Sequence, residues 1–144
     1  MKIVLQRVTS ASVKVDGNIT GKIDKGYLLL FGAGQGDTED DCRRLADKII
    51  NLRIFSDEND KINLSLGDVR GALLVVPQFT LYADCRKGNR PNFMQAEKPD
   101  AANKLFEYFV EYCRSKGQHT ETGVFGADMK VELLNDGPFT LILE

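Results

Sequence analysis

The sequence predicts an α+β domain, in the mixed α/β sense, with an antiparallel-rich β-sheet and two main covering helices. Three patterns carry that expectation. Tyr27-Leu28-Leu29-Leu30-Phe31 and Gly71-Ala72-Leu73-Leu74-Val75-Val76 are unbroken apolar runs, as in strands buried on both faces. Cys42, Leu45, Ala46, Ile49 and Ile50 recur at helical spacing, as do Ala102, Leu105, Phe106, Phe109 and Cys113, so each stretch presents an apolar stripe to a core. Strands come first, helices interleave and strands close the chain, and 144 residues suffice for one domain, 1–144, but not comfortably for two.

Residues 2 to 8 form an apolar-rich strand interrupted by Gln6 and Arg7. Ala11, Val13 and Val15 then alternate with Ser12, Lys14 and Asp16, the period of a half-buried strand. Asp16-Gly17-Asn18 signals a hairpin, with Ile19 and Ile23 on the returning strand. Gly32-Ala33-Gly34-Gln35-Gly36 lacks the lysine and spacing of a phosphate loop and reads as a turn into the first helix. Thr38 caps that helix, with Asp41 as capping-box partner. Arg53-Ile54-Phe55 is a short strand, and the acidic run Asp57 to Asp60 lacks EF-hand spacing and reads as a solvated turn. Asp84 to Phe93 is a polar, basic loop. The second helix runs from Asp100 to Ser115, begun by Pro99 and ended by Gly117. Thr120 to Val124, Met129 to Leu134 and Phe139 to Leu143 supply the last strands.

A net charge of −2 gives no global field to attract nucleic acid, so any RNA contact is local. Cys42, Cys85 and Cys113 are widely spaced without a C-x-x-C pair, which argues against a disulfide framework and a zinc site and suggests a reducing compartment. With no signal-like segment and no apolar run of bilayer length, a cytoplasmic location and no membrane partner are expected. His119 is the only histidine. A Cys85–His119 pair is conceivable, but a surface or structural histidine is the better reading, and no first shell for a metal is evident.

Two uncharacteristic stretches remain, Pro77-Gln78-Phe79-Thr80-Leu81 and Asn135-Asp136-Gly137-Pro138-Phe139-Thr140. Their information lies in backbone shape, because a Gly-Pro step is a rigid elbow that cannot wholly enter a ladder. Taken alone, Gly137-Pro138 reads as a simple turn between two strands. Together the stretches resemble the two signatures, S-Q-F-T-L and N-x-G-P-x-T, of the D-aminoacyl-tRNA deacylase family, also called D-tyrosyl-tRNA deacylase. The resemblance covers essentially the whole chain. Supporting matches are Gln6-Arg7-Val8, Arg53 to Asp57, Arg90-Pro91-Asn92-Phe93 and Glu121 to Met129.

The resemblance implies a homodimer that hydrolyses the ester between a D-amino acid and tRNA, with no cofactor, no metal and no DNA partner. It implies a cis Gly137-Pro138 step that enters the partner subunit's pocket as a chiral filter. Arg7 would orient that step, and Asn135, Phe125 and Met129 would belong to the same substrate-binding set. Gln78, Phe79 and Thr80 would form the catalytic wall. A rigid backbone wedge can reject an L side chain sterically while leaving D side chains outside, which predicts breadth among D-amino acids and acceptance of glycine, such as glycine mischarged on tRNA-Ala.

Thr80 has two readings. As a nucleophile it needs an adjacent base, and none is nearby in sequence. In the other reading, which the resemblance favours, the terminal adenosine 2′-hydroxyl assists while the Phe79 and Thr80 N–H groups stabilise the oxyanion. Pro77 departs from the family's serine and removes a donor, whereas Phe79, Leu134 and Leu141 side with the D-aminoacyl branch over the related animal branch. Arg86, Lys87 and Arg90 are candidates for phosphate contacts to the tRNA acceptor end, or else a solvated basic loop. The alternative functions are a deacylase of another misacylated tRNA and a non-catalytic RNA-binding dimer.

Overall fold

The computed structural model describes residues 1–144. The segment expected over residues 2 to 8 and the alternating stretch after it form one strand, β1 (Lys2–Val15). Its two halves serve different neighbours: Lys2–Val8 pairs antiparallel with β3 (Gly26–Gly32), and Ala11–Val15 with β2 (Asn18–Ile23). The opposite edge of β1 pairs antiparallel with β8 (Lys130–Leu143). The β1–β2 hairpin turns at Asp16 (φ 49°) and Gly17 (φ 79°), the pair of positive φ values that matches strand twist.

Beyond β3, the strands β6 (Ala72–Pro77) and β7 (Thr120–Thr122) add in parallel, giving the order β2-β1-β3-β6-β7 with β8 on the far edge of β1. The sheet curls until β2 meets β6 and β7. This curl makes two cores. Tyr27, Leu29, Phe31, Leu73 and Val75 face the helices, while Leu28, Leu74 and Val76 face inward with Val8, Ala11, Val13 and Ile23. The apolar runs are unbroken because both faces of β3 and β6 are buried.

The helices α1 (Glu39–Asn51) and α2 (Pro99–Ser115) cover the larger core with the residues the periodicity picks out. At the start of α1 the Asp41 carboxylate accepts the Thr38 N–H (2.9 Å), and that bond holds the Asp41 carboxyl below its ordinary range. Proline opens α2, where its missing N–H costs nothing, and Gly117 (φ 80°) follows its end. A strand absent from the sequence expectations, β5 (Ile62–Ser65), pairs with β4 (Arg53–Ser56). Between them Asp57 Oδ1 accepts the N–H groups of Asn59 and Lys61 (2.9 and 3.0 Å), forming the expected turn. Cys42 and Cys113 lie fully inside the larger core, and burial pushes both thiols up to about 12. No helix is long and apolar enough to cross a membrane.

Candidate active site

The end of β6 is fastened to β3 by the Gln78 N–H, which donates to Phe31 O (2.7 Å). The chain then makes a single 3-10 turn, Phe79–Tyr82. Its first hydrogen bond runs from Leu81 N–H to Gln78 O (3.3 Å), so the Phe79 and Thr80 N–H groups precede any bond of the turn. The Gln78 side-chain amide donates to Thr80 Oγ1. An amide donor cannot take the hydroxyl proton, so it gives Thr80 no base.

Beside this turn lies a cavity of about 670 Å³, lined by Pro77, Gln78 and Phe79, by Phe93, Ala96, Glu97 and Lys98, and by Phe125, Asp128 and Met129. Long-range backbone pairing holds the middle group: Gln35 N–H donates to Gln95 O (3.0 Å) and Glu97 N–H to Ala33 O (3.0 Å). The Phe93 ring meets Phe79 edge-on at 5.1 Å. The turn carrying Phe125 is closed by Ala127 N–H to Val124 O (3.2 Å) and by Val124 N–H to Met129 Sδ (3.3 Å). The wall from Phe93 to Lys98 was missed as a site by sequence reasoning. Its only signal is the Arg90-to-Phe93 match, in which Phe93 carries no assigned role.

The second signature has a different setting. The two final strands expected at Met129 to Leu134 and Phe139 to Leu143 are one strand, β8, because both segments pair with the same edge of β1. Gln6 opposes Thr140 and Val8 opposes Asn135, so residues 136–139 bulge out opposite Arg7 alone. Arg7, almost buried, donates from Nη1 to Ile54 O (2.5 Å) and from Nε to Asp136 O (3.0 Å). Its guanidinium also lies 4.8 Å from the centre of the Phe139 ring. Asn135 closes the bulge: Oδ1 accepts the Phe139 N–H (2.8 Å), and Nδ2 donates to Thr140 Oγ1 (3.0 Å).

At the exposed tip, the Gly137–Pro138 peptide is cis and Gly137 has φ +143°. A Cβ there would stand 2.9 Å from Phe139 N and 3.3 Å from Arg7 Nη2, so conformation and space both require glycine.

The structure thus brings Gln78, Phe79, Phe125 and Met129 to one cavity, and Arg7, Asn135, Gly137 and Pro138 to one elbow that lines no part of it. Thr80 adjoins the cavity through Gln78 without lining it. Arg86, Lys87 and Arg90 stand exposed on a loop closed by mutual backbone bonds of Asp84 and Asn92 (2.7 and 3.0 Å). Arg86 grips the Asp84 carboxylate through Nε (2.9 Å) and Nη2 (2.7 Å), which pulls that carboxyl down to about 2. His119 lies 3.6 Å from Glu121, largely exposed and away from the cavity lining.

A family model described as D-Tyr-tRNA(Tyr) deacylase matches residues 4–144. The chain belongs to this family. Among relatives of the deacylase family, the protein named D-aminoacyl-tRNA deacylase of Bacillus pumilus (strain SAFR-032) is 59% identical over 144 residues, covering 100% of this chain and 98% of the relative. Its namesake in Clostridium perfringens (strain SM101 / Type A) is 58% identical over 144 residues, covering 100% and 97%. A solved structure described as "c-Myc DNA Unwinding Element Binding Protein" superposes with a TM-score of 0.94 at 39% identity, covering 100% of this chain and 98% of that one. This chain, a single domain of mixed sheet and two helices, shares the fold of that structure.

Proposed function

We propose that this chain is a D-aminoacyl-tRNA deacylase, a carboxylic ester hydrolase that releases free D-amino acid and tRNA as chiral proofreading in translation. Family membership and the names of full-length relatives support the deacylase activity. The observation that carries the finer reading is the separation of elbow from cavity within one chain. A rigid wedge that lines no cavity of its own suits a homodimer in which Gly137 and Pro138 of one subunit enter the cavity of the other.

In this arrangement the wedge excludes an L side chain, and Gln78, Phe79, Phe125 and Met129 form the opposite wall. Glycine has no side chain to exclude, so glycyl-tRNA mischarged on tRNA-Ala is also a substrate. The Phe79 and Thr80 N–H groups, free of the turn's own bonds, stabilise the oxyanion as the ester carbonyl is attacked. The 2′-hydroxyl of the terminal adenosine assists the attack, which fits a Thr80 hydroxyl that has no base. Lys87, Arg90 and Arg86 meet the acceptor-end phosphates.

The test is single-turnover deacylation of matched D-tyrosyl-tRNA and L-tyrosyl-tRNA by the wild type and by Gly137→Ala. The wild type cleaves only the D ester. Gly137→Ala, whose Cβ is strained at φ +143° and crowds Phe139 N, slows that cleavage by about 100-fold, the scale of displacing a reacting group by about 1 Å. A folded wild-type dimer that cleaves neither ester overturns the activity and leaves RNA binding. Unchanged rate and selectivity in Gly137→Ala overturn the wedge.

A further inference from the structure

The glycine-rich stretch after β3 has so far served only as a connection to α1. Gly34 within it is buried, and its φ lies outside the left-handed region, so its backbone does not call for glycine. Its surroundings do. A Cβ on Gly34 would stand 2.5 Å from Cζ, 2.6 Å from Cε1 and 2.6 Å from Oη of Tyr82, the last residue of the 3-10 turn. Two residues earlier, a Cβ on Gly32 would stand 3.1 Å from Gln78 O and 3.1 Å from Leu81 Cβ. The turn that carries Phe79 and Thr80 therefore lies directly on bare backbone.

The two sides of this contact are unequally fastened. On the Gly34 side, the N–H donates to Asp37 Oδ2 (2.6 Å), and the carbonyl accepts the Asp37 N–H (3.2 Å). Asp37 is in turn paired with the Met1 ammonium (2.6 Å). The neighbouring Gln35 N–H is bonded to Gln95 O (3.0 Å). On the other side, Tyr82 ends a short turn whose first residues, Phe79 and Thr80, are exposed. Lys2 Nζ lies 4.8 Å from the centre of the Tyr82 ring, and burial together with the nearby Asp37 carboxylate pushes its hydroxyl up to about 12. If the two sides collide, the Tyr82 ring, whose far end is what a Gly34 side chain would strike, is displaced first.

We propose that Gly34 is a positioning residue for the deacylation: the space left by its missing side chain seats Tyr82, and Tyr82 sets the angle at which the Phe79 and Thr80 N–H groups meet the ester. This rests on the deacylase reading above. An added methyl at Gly34 would lift Tyr82 and tilt the turn, moving the donors while leaving the Phe93, Phe125 and Met129 surfaces where they are. Such a shift acts on the transition state more than on substrate binding.

The experiment is a double-mutant cycle on D-tyrosyl-tRNA deacylation, with melting temperature measured alongside. Gly34→Ala should lower kcat by about tenfold or more with KM within about twofold, because sub-ångström misplacement of donors is costly. Tyr82→Leu, which removes the ring end that the Cβ would strike, should lower kcat by only about threefold. The double variant should return to the Tyr82→Leu rate, since the clash no longer exists.

An unchanged kcat in Gly34→Ala overturns the proposal, as does a raised KM with kcat retained, or two rate reductions that multiply in the double variant. Should Gly34→Ala fail to fold, the double variant carries the test: a folded double at the Tyr82→Leu rate upholds the seat, and an unfolded or slower one overturns it. No cleavage by the wild type instead overturns the deacylase reading itself, and this role with it.

Discussion

The elbow at residues 135–140 is shaped by side chains reaching backbone, whereas the turn at Phe79–Tyr82 is bonded backbone to backbone and seats its Tyr82 ring over Gly34. Arg7 and Asn135 supply nearly all the polar contacts that define the elbow. At the turn, the proposed working groups are main-chain N–H donors, and these survive the truncation of their own side chains. The difference teaches where each region is vulnerable. Deleting a side chain should damage the elbow severely and the turn mildly.

The largest expected effect is therefore at Arg7. In Arg7→Ala the carbonyls of Ile54 and Asp136 lose their donor and Phe139 loses the guanidinium packed against it. Charged hydrogen bonds of this kind contribute about 2–3 kcal/mol, so the urea midpoint should fall accordingly. The ratio of D to L ester cleavage should drop by about 10-fold to 100-fold as the wedge loses its orientation. Arg7→Lys should rescue little, because a point charge cannot replace a fork that donates in two directions. A D-to-L ratio unchanged in Arg7→Ala would show that the elbow keeps its shape without this side chain, and would weaken the contrast.

An intermediate effect is expected from the basic loop. Removing one cation that meets a phosphate should reduce the slope of log affinity against log salt by about one unit. Lys87→Ala and Arg90→Ala should each do so for binding of acylated tRNA. Arg86→Ala should do less, because Asp84 already neutralises that guanidinium through a two-point grip. Equal reductions at all three positions would mean that the Asp84 pair opens on binding.

A smaller effect is expected at Thr80. Thr80→Ala keeps the backbone N–H and removes a hydroxyl that only accepts from Gln78, so turnover of the D ester should stay within about threefold of wild type. Abolition in a folded protein would make Thr80 the nucleophile and would remove the proposed role of the RNA hydroxyl. It would also make the turn as dependent on side chains as the elbow.

Burial and period made much of this legible. The runs at Tyr27 and Ala72 announce buried strands, and the stripes on α1 and α2 mark their buried faces, missing only Val110 and including the partly buried Ile50. What stayed hidden depends on which edges meet. Alternation in residues 2 to 15 carries no sign that one strand serves β2, β3 and β8 at once, and nothing near Gly137 reveals that both flanking segments pair with β1. The cavity wall at Phe93 to Lys98 is set by pairing with residues 33–35, some sixty positions away, which no local pattern encodes. Both signatures are visible as motifs, and their separation into cavity and elbow is what the family resemblance implies, while no local pattern encodes it. Gly34 looked like a loop glycine because the ring it accommodates lies on a different segment.

The elbow packs on the helix-covered core through Phe139, and the thiols of that core should influence neither region. Cys42 and Cys113 are fully buried whereas Cys85 is exposed on the basic loop, so a maleimide should label one site in the native protein and all three after unfolding. Burial raises the two core thiols from an ordinary 9.0 to about 12 in the folded state. The unfolded chain ionises first, so these groups leave stability unchanged below about pH 9 and reduce it as pH rises from there toward 12. In Cys42→Ala/Cys113→Ala the alkaline fall in urea midpoint should be shallower, with D-ester selectivity at neutral pH unaltered. Altered selectivity would instead mean that the core transmits strain to the elbow or the turn, and the two regions would no longer be independent.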